Sequence, residues 1–446
     1  MLLNLPALSE NKRYRFALVT LMYVAQGIQM GLMLVAIPAY LAKNGLSPAA
    51  VGGFIGATML PWSLKIIAGP IMDRFSFLPM GRRRPWIMFG ITGAAIGYFM
   101  MGFVQDPLQH IVMFTAAAVI VSSFTAFMDV AIDGLAIEII PIQEQPKANS
   151  YMWGGKVLGA ASTTAGAAWT LSAFGLQTTS LVAAFCSIVF LSLPLLMRER
   201  PGERFLPWTS GQSSPISLQL QMEGWGEIVK SLIKVIFLPA SIIISLVSFL
   251  HGITYGLFDA IMPMITVQEL GWDDKSFSNL AAMSGLIGGV IGFLAGDRLV
   301  IWFGRKRALT YLFFSLITAA LVVGLAAAHW HQDWPIHAFV IATYLLRTLI
   351  LITLFATAMA LCWTPVAATQ FAIYMAIGNL GISAGAALLG FLKLKFTYDQ
   401  IFFVFALILF ITLAILSRIK VDEHVARLEW LTDEKVAEGE EAEKTI

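Results

Sequence analysis

The sequence predicts an all-α membrane protein in which twelve transmembrane helices form two pseudo-symmetric six-helix bundles. Three observations lead to this fold class. The 446 residues are 58% hydrophobic and only 13% charged, with a mean hydropathy of +0.77, whereas soluble domains carry about 25% charged residues. Apolar stretches of about 20 residues, the length that crosses a bilayer, recur along nearly the whole chain. A charged loop pattern also occurs twice, at the same place in each half.

The apolar stretches define the predicted spans. We place them at residues 16–40, 48–72, 86–104, 109–133, 149–173, 178–197, 237–262, 277–301, 308–328, 337–360, 367–391 and 399–418. Their lengths, and the lack of alternating ten-residue segments, favour helices over a membrane barrel. Because lipid offers no partner to backbone amides and carbonyls, each span must satisfy these groups internally.

The distribution of basic residues sets the orientation. If the N-terminus is cytoplasmic, the loops on that side carry most of the 29 Lys and Arg residues. The opposite side carries Lys43, Lys275, Lys393 and Lys395. By the positive-inside rule, both termini are cytoplasmic. The net charge of +2 gives no reason to expect a nucleic-acid partner, and we expect a monomer in a lipid bilayer, the bacterial inner membrane.

The chain divides into four predicted parts. These are an N-terminal six-helix bundle at 1–197, a polar cytoplasmic linker at 198–236, a C-terminal six-helix bundle at 237–418 and a charged cytoplasmic tail at 419–446. Asp73 and Asp297 are 224 residues apart, which is close to half of the chain. This spacing indicates a duplicated six-helix unit whose copies have parallel topology.

The repeated loop is "GPIMDRFSFLPMGRRR" at 69–84 and "GDRLVIWFGRKR" at 296–307. Glycine allows helices to approach, the carboxylate suits a positive helix end, and the basic run anchors the loop at the cytoplasmic surface. We predict that these residues form a cytoplasmic latch: Gly69, Asp73, Arg74, Gly81, Arg82, Arg83, Arg84, Gly296, Asp297, Arg298 and Arg305. Alternatively, each arginine only sets the topology.

This loop resembles the signature of the major facilitator superfamily. Together with "FMDVAIDGLAIEIIPIQEQPKANS" at 127–150 and "GGKVLGAASTTAGAAW" at 154–169, it looks like the AmpG-type muropeptide permeases and the wider peptide, acetyl-coenzyme A and drug transporter group. The second half keeps only the general facilitator pattern. The resemblance implies a transporter that carries a small-molecule solute, with the first, fourth, seventh and tenth spans lining a central cavity.

Charged residues inside spans are costly and mark functional sites or buried pairs. In the first half these are Lys65, Asp129, Asp133 and Lys156. Asp129 and Asp133 are one helical turn apart on one face of span four. One interpretation is a buried ion network in which the four charges neutralise one another and close the cytoplasmic gate. The other is a proton relay, in which two nearby carboxylates share a proton and a lysine changes partner. We interpret Glu138 as a solvated charge at the end of a loop.

The candidate substrate-binding residues lie on spans one, seven and ten. His251, Tyr255 and Asp259 share one helix face, and Arg347 offers a planar fork for a carboxylate or phosphate. Arg347 binds either an acidic substrate or Asp259, and His251 either titrates or packs. On span one, three residues have side chains suited to hydrogen bonds with a sugar or peptide, although each glutamine also suits a neighbouring helix: Tyr23, Gln26 and Gln29.

No enzyme motif stands out, and we predict neither a cofactor nor a metal. The two cysteines lie in or at the ends of spans, which gives no disulfide framework. The stretch "HWHQDWPIH" at 329–337 contains three histidines and an aspartate, yet it fits an interfacial loop better than a metal site.

The predicted function is secondary active transport by alternating access. We expect proton-coupled import of an amphipathic acidic solute such as a muropeptide. The alternatives are a siderophore importer, a drug exporter or, from another class, a membrane assembly factor that handles a lipid or pigment without transporting it.

Overall fold

The computed structural model describes residues 7–46, 48–222, 224–272 and 274–444. Within these ranges the chain is helical and contains no strand. The helices of the first half and of the predicted linker are α1 Lys12–Gly31, α2 Ile37–Lys43, α3 Pro48–Leu64, α4 Ala68–Arg74, α5 Arg84–Phe103, α6 Ile111–Ile139, α7 Gln145–Leu196, α8 Pro215–Leu220 and α9 Trp225–Ile236. The later helices are α10 Pro239–Pro263, α11 Asp274–Ala295, α12 Arg298–Phe303, α13 Arg305–Leu325, α14 Trp334–Ala360, α15 Ala367–Lys393, α16 Tyr398–Leu416 and α17 Val421–Lys444.

The helices confirm the predicted all-α membrane architecture. In the described ranges, 10 segments are long and apolar enough to cross a bilayer. One of them, the 52-residue α7, contains Gly175 with φ 77° and ψ −174°, so α7 is two spans that meet at a glycine kink. Residues 279–295 of α11 form a further, shorter apolar helix. With α7 counted as two spans and α11 included, twelve spans result.

Local sequence signals fix several helix ends. The Asn11 side chain accepts hydrogen bonds from the backbone amides of Arg13 and Tyr14, so it caps the N-terminus of α1. Thr397 and Gln400 form a reciprocal capping box at the start of α16. Proline stands in the first turn of α5 and of α10, where its missing amide proton costs nothing.

The chain forms two compact units. The first comprises Met1–Ser231 with Thr364–Ala372, and the second comprises Leu232–Trp363 with Ile373–Ile446. The first turn of α15 therefore packs with the first unit. The predicted bundle limits at residues 197 and 237 stay predictions.

Glycine brings helix backbones together inside each unit. A Cβ atom on Gly159 of α7 would lie 2.4 Å from the carbonyl oxygen of Val24 in α1. A Cβ atom on Gly252 of α10 would lie 2.3 Å from the carbonyl oxygen of Gly378 in α15. Any larger residue at these positions would push the helices apart, as expected for small-residue packing in membranes.

Candidate functional site

A buried ion pair joins Lys65 to Asp129. Lys65 begins the short 3-10 turn between α3 and α4, and its Nζ lies 2.9 Å from Oδ2 of Asp129 on α6. The lysine side chain is 2% exposed and the aspartate side chain is fully buried. The second oxygen of Asp129, Oδ1, has no hydrogen-bond partner in the described ranges. One carboxylate oxygen is therefore neutralised and the other remains available.

Asp133, one turn further along α6, has a different partner. The hydroxyl of Tyr23 on α1 donates a hydrogen bond of 2.5 Å to its Oδ1. Asp133 is 2% exposed and Tyr23 is 1% exposed. Two buried carboxylates on one helix face are thus held by a cation and by a neutral hydroxyl, respectively.

Lys156 on α7 makes no direct contact with this ion pair. Its Nζ is 5.6 Å from the ring centroid of Tyr23, 5.0 Å from that of Trp62 and 5.1 Å from that of Trp153. Lys156 is 7% exposed. Among the described residues, no carboxylate oxygen lies within 4 Å of its ammonium. Of the four charges that the sequence predicts at one level, the structure brings Lys65 into contact with Asp129 and surrounds Lys156 with aromatic rings.

The two glutamines of α1 are buried. Gln29 donates a hydrogen bond of 3.0 Å from Nε2 to the hydroxyl of Ser122 on α6, which is a contact between neighbouring helices. Both polar atoms of Gln26 are buried without a partner among the described residues. A buried amide without a partner is costly, so Gln26 is the better candidate for a polar ligand.

In the second unit, Arg347 of α14 binds Asp259 of α10. Its Nη1 lies 2.7 Å from Oδ1 of Asp259, whose side chain is 46% exposed. The guanidinium carbon lies 3.2 Å from the ring centroid of Tyr255. Arg347 is thus oriented by an acid and an aromatic ring, and the half-exposed acid leaves this pair open on one side.

His251 is placed differently from Tyr255 and Asp259. It is 3% exposed, and its ring packs edge-on against Phe313 of α13 at a centroid distance of 5.7 Å. Neither ring nitrogen has a hydrogen-bond partner in the described part of the chain. The shared helix face therefore brings Tyr255 and Asp259 to Arg347, while His251 lies among aromatic side chains.

The predicted latch contains a further buried carboxylate, that of Asp73 of α4. Its Oδ2 accepts hydrogen bonds from the backbone amide of Thr369 at 3.0 Å and from the Thr369 hydroxyl at 2.6 Å. Its Oδ1 accepts a hydrogen bond of 2.5 Å from Arg83. Thr369 lies in the first turn of α15, where free amides attract an anion. Gly69 permits this contact, since a Cβ atom there would lie 2.6 Å from the Cα of Thr369.

Glu138 is a buried acid, so its interpretation as a solvated loop-end charge is wrong. Its side chain is fully buried, and Oε1 lies 2.8 Å from Nη1 of Arg82 and 2.6 Å from Nε of Arg83. Helix α6 continues past the predicted end of span four to Ile139, which carries Glu138 into the latch. The charges of the buried Arg82 and Arg83 need a buried acid to compensate them.

Glu199, which follows α7, completes the latch from the linker. Its carboxylate accepts hydrogen bonds from the backbone amides of Arg82 at 2.8 Å, of Arg83 at 2.6 Å, and of Arg84. These amides form the N-terminus of α5, whose N-cap residue Arg83 makes no side-chain cap. The Arg84 guanidinium donates to backbone carbonyls, including that of Arg204 at 2.7 Å. A carboxylate from a distant segment therefore caps α5.

The remaining latch residues do not repeat this arrangement. Arg74 stacks on Trp225 of α9, at 4.8 Å from the ring centroid. In the second copy, Arg305 donates a hydrogen bond of 2.5 Å to the carbonyl of Ala356. Gly296 is buried and Arg298 is exposed. Asp297 is 9% exposed, and its carboxylate has no ion pair among the described residues.

In the histidine-rich loop at 329–337, the acidic residue Asp333 contacts a tryptophan. The Asp333 carboxylate accepts a hydrogen bond of 2.7 Å from the indole of Trp272. The described residues contain no group of three or more His, Cys, Asp or Glu side chains placed to hold a metal ion.

Comparison with protein-family models matches residues 19–386 to the Major Facilitator Superfamily. The chain belongs to the major facilitator superfamily. It is therefore a multi-pass membrane transporter of a small-molecule solute, and it is not an enzyme.

Among related proteins, this facilitator is similar to the putative transporter AmpG 1 of Rickettsia bellii. The two are 21% identical over 400 residues, which cover 85% of this chain and 92% of that protein. It is also 27% identical to a folate-biopterin transporter of Synechocystis sp. over 183 residues, 40% of this chain and 36% of that protein. The resemblance to AmpG-type permeases that the sequence indicated is confirmed.

Solved structures share the fold of this facilitator. The human organic anion transporter MFSD10 superposes with a TM-score of 0.67 at 14% identity, covering 91% of this chain and 99% of that one. The transporter FucP gives a TM-score of 0.68 at 13% identity, covering 91% and 98%. At these identities the likeness concerns the fold alone.

Several residues of the facilitator's candidate site escaped the sequence analysis. Trp62 and Trp153 surround Lys156, and Glu199 and Thr369 complete the latch. The glutamates of "RERPGE", directly after span six, could have indicated this contact, because a carboxylate can neutralise the charge of a basic loop. The tryptophans gave no such signal, since single aromatic residues are common in spans.

Proposed function

We propose that this protein is a proton-coupled importer of an amphipathic acidic solute such as a muropeptide, working by alternating access. The observation that carries the proposal is the buried Lys65–Asp129 ion pair, with a second buried carboxylate, Asp133, one turn away. Ionised groups inside membrane-spanning segments are costly and commonly mark functional sites. We propose the bacterial inner membrane as its location, with both termini cytoplasmic and the protein a monomer.

Proton uptake changes the interactions that hold this cluster. When Asp129 takes up a proton, its attraction for Lys65 falls, and the lysine is left as an uncompensated buried cation. The lysine is then free to change partner or to draw in an anion. Because Lys65 lies between α3 and α4 while Asp129 lies on α6, the exchange alters a contact between helices. A protonation event is thereby converted into a change in helix packing, as alternating access requires.

The latch supplies the second element of the mechanism. Asp73, which accepts a hydrogen bond from Arg83, holds the first turn of α15 through Thr369. We propose that this attachment is made in one transport state and released in the other. The Asp73–Thr369 hydrogen bonds set the energy of that release, and the Glu138 and Glu199 carboxylates keep Arg82 and Arg83 in place.

An acidic substrate is favoured by the arginine of the second unit. Arg347 stays charged and carries five donors in a planar fork, and its acid partner Asp259 is half-exposed. A substrate carboxylate can replace or share that partner. The related AmpG 1 is named a putative transporter and the other relative a folate-biopterin transporter, and we extend from these names only the expectation of an acidic organic solute.

Purified protein in proteoliposomes provides the test. An inward-directed proton gradient should drive accumulation of a radiolabelled muropeptide, and a protonophore should abolish it. Gradient-driven uptake of a siderophore instead would favour that alternative, and gradient-driven extrusion of a drug would favour an exporter. If no candidate solute moves under any gradient, although the protein binds a lipid or pigment, the assembly-factor alternative replaces transport.

A further inference from the structure

Lys156 is a buried lysine whose ammonium has aromatic neighbours and, among the described residues, no carboxylate oxygen within 4 Å. The rings belong to three different helices, with Tyr23 on α1, Trp62 on α3 and Trp153 on α7. Their centroids lie between 5.0 and 5.6 Å from Nζ. Within the described ranges its ammonium makes no hydrogen bond and no ion pair. Lys65, by contrast, contacts a carboxylate oxygen at 2.9 Å.

Three rings do not replace a counter-ion. Aromatic faces attract a cation by about 2 kcal/mol when the site is desolvated, whereas burial of an unpaired charge costs considerably more. An ammonium also has three N–H donors, and ring faces leave them without conventional acceptors. Lys156 therefore has N–H donors that can bind an anion, and the surrounding rings do not occupy them.

A second polar group beside Lys156 is also without a partner. The indole nitrogen of Trp62 is buried and has no hydrogen-bond acceptor among the described residues. The rings of Trp62 and Trp153 are themselves only partly buried, so the aromatic surface is not sealed by protein. An ammonium, an indole N–H and two indole faces thus occupy one place in the first unit.

We propose that Lys156, Trp62 and Trp153 form a binding site for the anionic group of a ring-bearing solute, such as a sugar acid or a sugar phosphate. The ammonium binds the carboxylate or phosphate, the Trp62 indole donates to an oxygen, and the indole faces pack on the ring. This inference rests on the proposed function, because it deepens the expectation of an acidic substrate. It assigns Lys156 to the substrate and leaves Lys65, Asp129 and Asp133 to the proton.

The alternative is that the rings alone accommodate Lys156. The same helix provides a comparison, since Lys147 lies over a single ring, that of Tyr151, at 5.6 Å. Lys147 is less buried than Lys156 and has water within reach, so one ring suffices there. If the rings alone stabilised the Lys156 ammonium, replacing Lys156 would change the stability of the protein but not its preference for anionic ligands.

Isothermal titration calorimetry on the full-length protein in detergent can measure that preference. We choose two pairs of probes that differ by one anion: N-acetylmuramic acid against N-acetylglucosamine, and glucose 6-phosphate against glucose. The wild type should bind the anionic member of at least one pair about tenfold or more tightly, as expected for one charged hydrogen bond. A preference in the first pair alone identifies a carboxylate, and a preference in the second alone identifies a phosphate. Equal binding within both pairs overturns the proposal without any variant.

Variants then locate the preference. Lys156→Met should remove it, Lys156→Arg should keep it within about threefold, and Trp62→Leu should weaken both members of a pair. Lys147→Met and Trp169→Leu, on the same helix, are the matched controls and should leave binding unchanged. If Lys156→Met keeps the preference, or if Arg347→Ala removes it, the anion binds elsewhere and the proposal fails.

The proposed transport function can fail separately. Anion-selective binding that depends on Lys156, without gradient-driven uptake in proteoliposomes, would keep this site and remove the proton coupling. Conversely, proton-driven uptake that is unchanged in Lys156→Met would keep the transport function and remove this site.

Discussion

The ammonium of Lys65 lies 2.9 Å from the Asp129 carboxylate, and neither side chain is more than 2% exposed. The pair ties the turn after α3 to α6 inside the first unit. Removal of one member of a buried ion pair leaves the other uncompensated, which typically costs about 3–5 kcal/mol. Any experiment on this pair must therefore separate stability from coupling.

We expect Asp129→Asn to abolish proton-driven accumulation and to spare exchange of preloaded solute. The amide keeps the shape of the side chain but cannot take up a proton, so the transport cycle loses its link to the gradient. Both quantities are measured in proteoliposomes, one with an inward proton gradient and the other with solute on both sides.

Two further variants make the Asp129→Asn result decisive. Asp106→Asn, at an exposed position between α5 and α6, is the isosteric control and should transport normally. The double variant of Lys65→Met and Asp129→Asn should regain thermal stability relative to the single variant without regaining accumulation. Unchanged driven uptake in Asp129→Asn would show that the pair is a structural ion network.

The sequence predicted the spans and the facing carboxylates because both depend on local periodicity. Asp129 and Asp133 are four residues apart on a helix, so they share a face whatever surrounds them. Contacts of the site residues with distant segments of the chain could not be predicted from the sequence. Glu199 meets amides more than one hundred residues earlier in the chain, and the aromatic rings around Lys156 come from three helices. Glu138 was misinterpreted because its helix ends six residues beyond the predicted end of span four.

Arg347→Ala should weaken binding of an acidic muropeptide and spare one whose peptide carboxylates are amidated. The guanidinium is oriented by Asp259 at 2.7 Å and by Tyr255, and the loss of a charged hydrogen bond corresponds to roughly a tenfold to hundredfold weaker affinity. Calorimetry with the two peptides measures the difference.

The control for Arg347 is Arg427, which also stacks on an aromatic ring, that of Trp430, at 3.9 Å. Arg427→Ala in the tail helix α17 should bind both muropeptides normally. Equal losses for the acidic and amidated peptides in Arg347→Ala would instead mean that Arg347 serves only to balance Asp259. Retained binding in Asp259→Asn would support the substrate role.

Glu199→Gln should destabilise the protein by about 1–3 kcal/mol, the cost of leaving buried donors unsatisfied. The carboxylate accepts three backbone amides, and a glutamine presents one oxygen and a competing NH2 group. Thermal unfolding in detergent should show a midpoint lower by several degrees. Gly81→Ala should act in the same way, because Gly81 has φ 103° and its Cβ would lie 2.6 Å from Cδ of Glu199. A midpoint unchanged in both variants would refute the cap.

Glu203 predicts how stability depends on pH. Burial, reinforced by the charge of Glu199, raises the pKa of the Glu203 carboxyl to about 8, whereas an unfolded glutamate has a pKa of about 4.3. Between these values the folded protein keeps a proton that the unfolded chain releases. The contribution of this group to stability is therefore complete below about pH 4.3 and is lost as the pH rises through about 8.

The midpoint of thermal unfolding should accordingly fall between pH 5 and pH 8, and Glu203→Gln should flatten that decline, because the amide mimics the protonated acid. Glu423→Gln is the control, since Glu423 forms an exposed pair with Lys420, and it should keep the wild-type slope. A Glu203→Gln protein with the wild-type slope would place the titrating group elsewhere. A flattened slope would mean that a neutral Glu203 carboxyl holds the contacts with the Arg200 amide and the Ser217 hydroxyl, so that alkaline conditions loosen the linker segment that carries Glu199.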